Sequence, residues 1–211
     1  MKYFGRGGAG RFGIHGINKQ DVRMERLEEL IFSSPEARAG LALSLSKTVR
    51  RGFFLKKAVE LGADAIWIWQ ADHSQNKLSS FSEQSWKEQM IAGAKQCKNP
   101  WLPELRLLSR GIDDVVKLAS PADQRILLWE RQDNISLLSP WTANTQWLTV
   151  YDFGSEGGFS SREFFAITAA GFIASSLGTC ILQCETAATL CLGLHLWASH
   201  LNDFSTGNTV Q

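Results

Sequence analysis

The stretch from Trp147 to Ala188 constrains this chain more than any other. It opens with the apolar run Trp147-Leu148-Thr149-Val150-Tyr151-Asp152-Phe153 and runs into Gly154-Ser155-Glu156-Gly157-Gly158, a turn with three glycines in five positions. Without a Cβ, peptide N–H groups in such a turn can come close to a ligand. A helix is expected directly afterwards. Ser160 has the chemistry of an N-cap, Glu163 that of its capping-box partner, and Phe159 and Phe164 have the spacing of a hydrophobic staple. Strand, glycine turn and capped helix agree with one another, yet the pattern by itself serves a plain structural turn as well as a binding loop. After Gly171 come a short apolar segment, the pair Leu177-Gly178, then Ile181-Leu182, and Glu185-Thr186-Ala187-Ala188 opening a last helix.

Phe164 to Gln183 carries no charge and approaches the length of a membrane span. Gly171, Ser175, Ser176, Gly178, Thr179 and Gln183 interrupt it, so a buried helix followed by a strand is the expectation. With 211 residues, 44% of them hydrophobic and 20% charged, the chain has material for one ordinary domain and a small second one. The net charge of +1 hides an asymmetry. Residues 1 to 60 hold 12 Lys/Arg against 6 Asp/Glu, and the remainder 10 against 15. A basic front end suits a polyanionic partner and equally a solvated surface. Cys97, Cys180, Cys184 and Cys191 form no CxxC pair and are expected as reduced, buried thiols. Their spacing with His195 does not suit zinc, so no metal is expected. The N-terminus lacks the apolar core of a signal peptide, which leaves a cytoplasmic location as the expectation.

Residues 3 to 18 are glycine-rich and fit tight β-turns, a disordered arm or an expression remnant. Asp21 to Glu28 alternates apolar and charged side chains as a half-buried strand would, and Leu41 to Ser46 alternates again, so small β structure is expected up to residue 46. Phe54 to Ala63 reads as a helix stopped by Gly62, Ala65 to Trp69 as a strand, and Ser85 to Lys98 as a further helix. Strands at 100–105 and 125–130, with a short helix over 111–119 between them, continue the alternation. That order implies an α/β fold with a parallel sheet, in which ligands sit beyond the carboxyl ends of the strands. Trp67, Trp69, Trp129 and Trp147 lie in apolar runs and are expected in the core.

Gly-Ser-Glu-Gly-Gly-Phe-Ser and, downstream, Leu-Gly-Thr-Cys-Ile-Leu-Gln-Cys-Glu-Thr-Ala together resemble the signature of the RsmE family, 16S rRNA uridine-N3 methyltransferases of the SPOUT superfamily. Lys56-Lys57-Ala58-Val59-Glu60-Leu61-Gly62 is similar to a further family element, as is the Ala94, Gln96, Lys98 pattern. The resemblance implies a SPOUT-type α/β fold over residues 47–204, with a C-terminal trefoil knot about 147–188. A partial PUA-like β domain over 1–46 precedes it and a tail over 205–211 follows. It implies S-adenosyl-L-methionine as cofactor, held by Glu130, Gly154, Glu156, Gly157, Gly158, Leu177, Gly178, Ile181 and Leu182. It implies 16S rRNA or the small ribosomal subunit as partner, contacted by Arg50, Arg51, Lys56 and Lys98. A homodimer is implied too, with Leu190, Leu194 and Trp197 of the last helix at the interface, although an intramolecular core would show the same stripe.

The resemblance places the catalytic positions at Cys180, Gln183 and Glu185. Where the family carries two arginines, this chain has Cys180 and Gln183. Methylation at N3 removes a proton and builds negative charge on the base, which a guanidinium would stabilise. Gln183 donates a hydrogen bond without charge. Two readings therefore stand: a methyltransferase in which Arg50, Arg51 or Lys98 supplies the cation, and a non-catalytic RNA- or ribosome-binding relative. A SPOUT methyltransferase with another RNA substrate rests on the same departures.

Overall fold

A computed structural model describes residues 2–5, 7–33, 38–45, 51–74, 80–129, 148–154 and 158–206. Three strands, β1 (Lys2–Gly5), β2 (Gly8–Ile17) and β3 (Val22–Ile31), form an antiparallel sheet. The side chain of Asn18 closes the β2–β3 turn by accepting from the backbone of Gln20 and Asp21, a local Asx device. The alternation in β3 predicts a half-buried strand, but nearly every residue of β3 is exposed. Among the described residues no layer packs across the sheet there, and Met24 and Leu27 are exposed.

Next comes β4 (Arg38–Ser44), then α1 (Arg51–Glu60), β5 (Ala63–Trp69), α2 (Ser80–Cys97), β6 (Glu104–Leu108), α3 (Ile112–Ala119) and β7 (Gln124–Leu128). They are followed by β8 (Leu148–Phe153), α4 (Ser161–Ala169), β9 (Ile173–Ser175) and α5 (Cys184–Thr206). Six strands make a second sheet in the order β6-β5-β4-β8-β7-β9, with every pairing parallel. The expected α/β fold with a parallel sheet is observed. The uncharged stretch splits into α4 and β9 as anticipated, and among the described residues no helix is long and apolar enough to cross a membrane.

Two expectations are corrected. The strand at 41–46 was assigned to the small N-terminal β unit, whereas β4 lies inside the large sheet between β5 and β8, with Leu41 opposite Ile66 and Tyr151. Periodicity cannot say which sheet a strand joins. The strand expected at 100–105 begins at Glu104, because Asn99 is occupied in closing the preceding turn onto Val59 and Trp101.

The parallel strands are buried on both faces. Leu41, Leu43, Ile66, Ile68, Tyr151 and Phe153 point to one side, where α1, α2 and α5 cover them. Ala42, Trp67, Trp69 and Val150 point to the other, under α3 and α4. This is why these strands read as continuous apolar runs. Trp67 and Trp69 are in the core as expected, Trp86 joins them, and Trp147 lies outside the described residues.

A charged residue type interrupts the second face. Asp152 of β8 has no exposed surface; its Oδ1 accepts from the Trp69 indole at 3.1 Å and its Oδ2 has no partner among the described residues. Burial pushes its carboxyl up to about 8 against the pull of the Trp69 and Phe153 N–H donors, with the nearby Glu163 adding to the rise. The native state thus holds a proton that the unfolded chain gives up near pH 4. The stability this confers is complete below that pH and is lost as pH rises toward 8. Asp152→Asn should flatten the dependence. Urea denaturation from pH 5 to 8 should show the variant gaining on the parent by up to about 1.4 kcal/mol per pH unit.

Candidate functional site

The carboxyl ends of β7, β8 and β9 lie side by side, Leu128 pairing with both Phe153 and Ser175. The chain leaving each end contributes to a cavity of about 400 Å³. Trp129 follows β7, Gly154 and Gly158 follow β8, and Ser176 through Gln183 follow β9, while Cys184 and Ala187 of α5 complete the wall. Of the residues expected to bind a cofactor, Gly154, Gly158, Leu177, Gly178, Ile181 and Leu182 all line this one space. Glu130, Glu156 and Gly157 lie outside the described residues.

The turn after β8 is shaped by aromatic packing. A Cβ at Gly154 would stand 2.6 Å from the Phe159 ring, so here the missing side chain makes room for Phe159 and not for a ligand. Phe159 stacks between Trp69 and Trp129, with centroids 6.0 and 5.8 Å away. Phe164 meets Trp129 edge-on at 4.1 Å, so both residues of the expected staple pack on Trp129. The requirement is different at Gly178. Its φ is +123° and a Cβ there would meet nothing within 4 Å, so this glycine answers to backbone conformation and leaves open space.

The predicted capping box is present. Ser160 Oγ accepts from the Glu163 N–H at 3.2 Å, and Glu163 Oε2 accepts from the Ser160 N–H at 2.7 Å. Glu163 is buried, and its other oxygen accepts from the Asp72 N–H at 2.7 Å, tying the loop after β5 to the start of α4. Asp72 returns the contact by accepting from Ser160 Oγ at 2.6 Å and from Arg162 at 3.2 Å. The guanidinium of Arg162, with the Ser160 hydroxyl, holds the Asp72 carboxyl below its usual range. Arg162 also reaches Asp113 on α3, so its charge is directed at carboxylates.

Electrostatically the cavity is bare. Among the described residues, none that lines it is charged. Cys180 and Gln183 line it and are exposed; Glu185 sits in the first turn of α5 and is not part of its wall. Buried, reduced thiols were expected of the cysteines. All four are free, but only Cys191 is buried, because the segment carrying Cys180 is a loop at the cavity rim.

Topology separates the expected basic contacts. In a parallel sheet α1 runs from the carboxyl edge back to the amino edge, so its start at Arg51 is on the same edge of the sheet as the cavity. Arg50 lies outside the described residues. Lys56 is exposed midway along α1. Lys98, exposed at the end of α2, is at the opposite, amino edge of the sheet and is no replacement cation for this cavity within one chain.

Sequence reasoning missed Trp129, Phe153, Phe159, Ser175 and Ser176 as cavity residues. Trp129 reads as core and Phe159 as a staple, which they are as well. The usable signal was their position at or just beyond the carboxyl ends of β7, β8 and β9.

Residues 33–196 match the model of the RNA methyltransferase domain, most of the chain. The chain belongs to the RNA methyltransferase domain family. Within it, a relative from Mesomycoplasma hyopneumoniae named ribosomal RNA small subunit methyltransferase E is 29% identical over 163 residues, covering 76% of this chain and 70% of the relative. A Legionella pneumophila methyltransferase solved with bound SAM superposes with a TM-score of 0.82 at 24% identity, covering 93% of this chain and 81% of that one. The ribosomal RNA small subunit methyltransferase E of Neisseria gonorrhoeae, bound to S-adenosyl methionine, gives 0.77 at 24% identity over 90% of this chain and 78% of that one. These likenesses bear out the α/β fold with a parallel sheet. In this member of the family the packing of Phe159 should be rigid. Gly154→Ala should force that ring aside and cost about 1–3 kcal/mol, read by urea denaturation together with altered tryptophan emission from the Trp69 and Trp129 stack.

Proposed function

We propose that this chain is an S-adenosylmethionine-dependent methyltransferase that modifies N3 of a uridine in 16S rRNA. The observation that carries the reading is the single cavity formed where the two motif segments meet at the ends of β7, β8 and β9. Family membership and the RNA substrate in the relatives' names support it. The residues present fit the cofactor. The cavity volume of about 400 Å³ falls in the range of small-molecule sites. Gly178 keeps open space where a side chain would stand, and Leu177, Ile181 and Leu182 give an apolar wall. The convergence of Gly154, Gly158 and Phe159 with residues 176–183 on one cavity also supports the trefoil knot that the motifs imply.

When bound, the cofactor supplies an electrophilic methyl carbon. The chain's task is to orient the uridine and ease departure of its N3 proton. Gln183 and Cys180 stand at the exposed rim, where Gln183 can donate to a carbonyl of the base without neutralising charge. We assign the cation to Arg50 or Arg51, because α1, which starts at Arg51, begins on the edge of the sheet where the cavity lies. Part of the rest of the basic front end is internally matched: Arg11 pairs with Glu28, His15 with Glu25 and Arg26 with Glu29 on the β2–β3 ribbon. The RNA track we assign follows Arg50, Arg51 and Lys56. The last helix, α5, buries Ala188, Cys191 and Leu192 but leaves Leu190, Leu194 and Trp197 at 41%, 37% and 66% exposure. That second apolar face is no part of the intramolecular core and is the proposed homodimer interface. The compartment we propose is the cytoplasm, where the rRNA substrate is made.

Calorimetric titration with S-adenosylmethionine tests the cofactor assignment, with light scattering on the same sample for the dimer. Saturable binding by a dimer is expected; a well-folded protein that binds none removes the methyltransferase reading. The uncharged cavity favours one alternative, a relative that binds RNA or the ribosome without transfer. The double variant Cys180→Arg, Gln183→Arg separates the two in a tritiated-methyl transfer assay on 16S rRNA. A parent that uses Arg50 or Arg51 should be active, and should lose about one to two orders of magnitude in rate when both are changed to Ala. A silent parent activated by the double variant would identify the non-catalytic relative.

A further inference from the structure

We propose that the hydroxyl of Ser175 is a specificity anchor for the adenosine half of the bound cofactor, an inference that rests on the cofactor assignment above. Ser175 ends β9 and lines the cavity. It is 1% exposed, and among the described residues its Oγ has no hydrogen-bond partner, although its backbone carbonyl accepts from the Trp129 N–H at 3.0 Å. A buried hydroxyl without a partner lowers stability relative to a satisfied one, so such a group calls for an explanation. Apolar residues surround the position. Leu128 is its partner across the β7–β9 pair, and Leu177 and Leu182 lie on the cavity wall with it. An apolar side chain would serve better there if packing were the only demand.

The open space beside Ser175 is the cavity. Turning the hydroxyl into it takes a rotation about one bond and breaks no hydrogen bond. The chemistry of the wall selects which part of the ligand it meets. A nucleobase has apolar faces and a hydrogen-bonding edge, which suits apolar walls with one hydroxyl. The zwitterionic amino-acid end requires charged or multiply hydrogen-bonded partners, and no described residue of the wall is charged. Ser175 therefore reads the adenosine and leaves the amino acid to the rim, where Ser176, Thr179 and Gln183 sit.

Titration of parent and Ser175→Ala protein with S-adenosylhomocysteine and with methylthioadenosine, which lacks the amino-acid end, tests this. The variant should bind both ligands about five- to twentyfold more weakly, the loss of one hydrogen bond. Its ligand-free melting temperature should be equal to or above the parent's, since the replacement removes an unsatisfied group; a merely structural serine would instead lower it. Equal affinity for both ligands in the variant would overturn the inference. So would a loss confined to S-adenosylhomocysteine, which would move the contact to the amino-acid end. A parent that binds neither ligand would overturn the cofactor assignment itself, and the inference with it.

Discussion

Glu163 is a buried carboxylate whose two oxygens accept backbone N–H groups from Ser160 and Asp72. An ionised group out of water survives only with such partners, and these two are 88 residues apart in the chain. Through them the loop after β5 is joined to the start of α4, and Ser160 and Arg162 double the joint by donating to Asp72. Phe159 sits directly before this cap, seated against Gly154 and stacked on Trp129. The position of the cavity wall thus follows from how one glutamate is satisfied. The aromatic stack in turn packs over the face of the sheet in which Trp69 donates to Asp152.

That arrangement builds a cavity with shape and few charges. The wall is apolar with scattered hydroxyl and amide groups, and the carboxylates nearby are directed elsewhere, Asp72 to Arg162 and Glu163 to backbone. A site of this kind is suited to hold a neutral, flat group by enclosure and backbone contacts. Charge stabilisation at a reacting base has to come from the adjoining edge of the sheet. The separation has a topological cause. Helices in a parallel α/β unit return from the carboxyl edge to the amino edge, so the start of α1 is on the cavity's edge of the sheet and the end of α2 is on the opposite edge.

Much of the fold was legible because its signals are local. The capping box at Ser160 and Glu163, the stop of α1 before Gly62 and the division of the uncharged stretch into α4 and β9 depend on neighbours within a few residues. The two motif segments also named most of the described cavity residues, since backbone geometry at Gly178 and the apolar residues beside it are written in the sequence.

Partnership over distance was decided by the tertiary structure. Alternation in β3 and in the segment of β4 looked alike, yet one strand is exposed and the other lies deep in the parallel sheet, because alternation records a side-chain period and not the layer that covers it. Trp129 read as a core strand residue and became cavity wall only because three strand ends are brought side by side. Glu163 was legible as a cap, but its bond to Asp72 was not, for a carboxylate has more acceptor sites than a local motif uses. The sequence by itself determined the elements and the chemistry each end can offer. Only packing decided which ends meet, since hydrophobic burial is non-directional and fixes neighbours through shape.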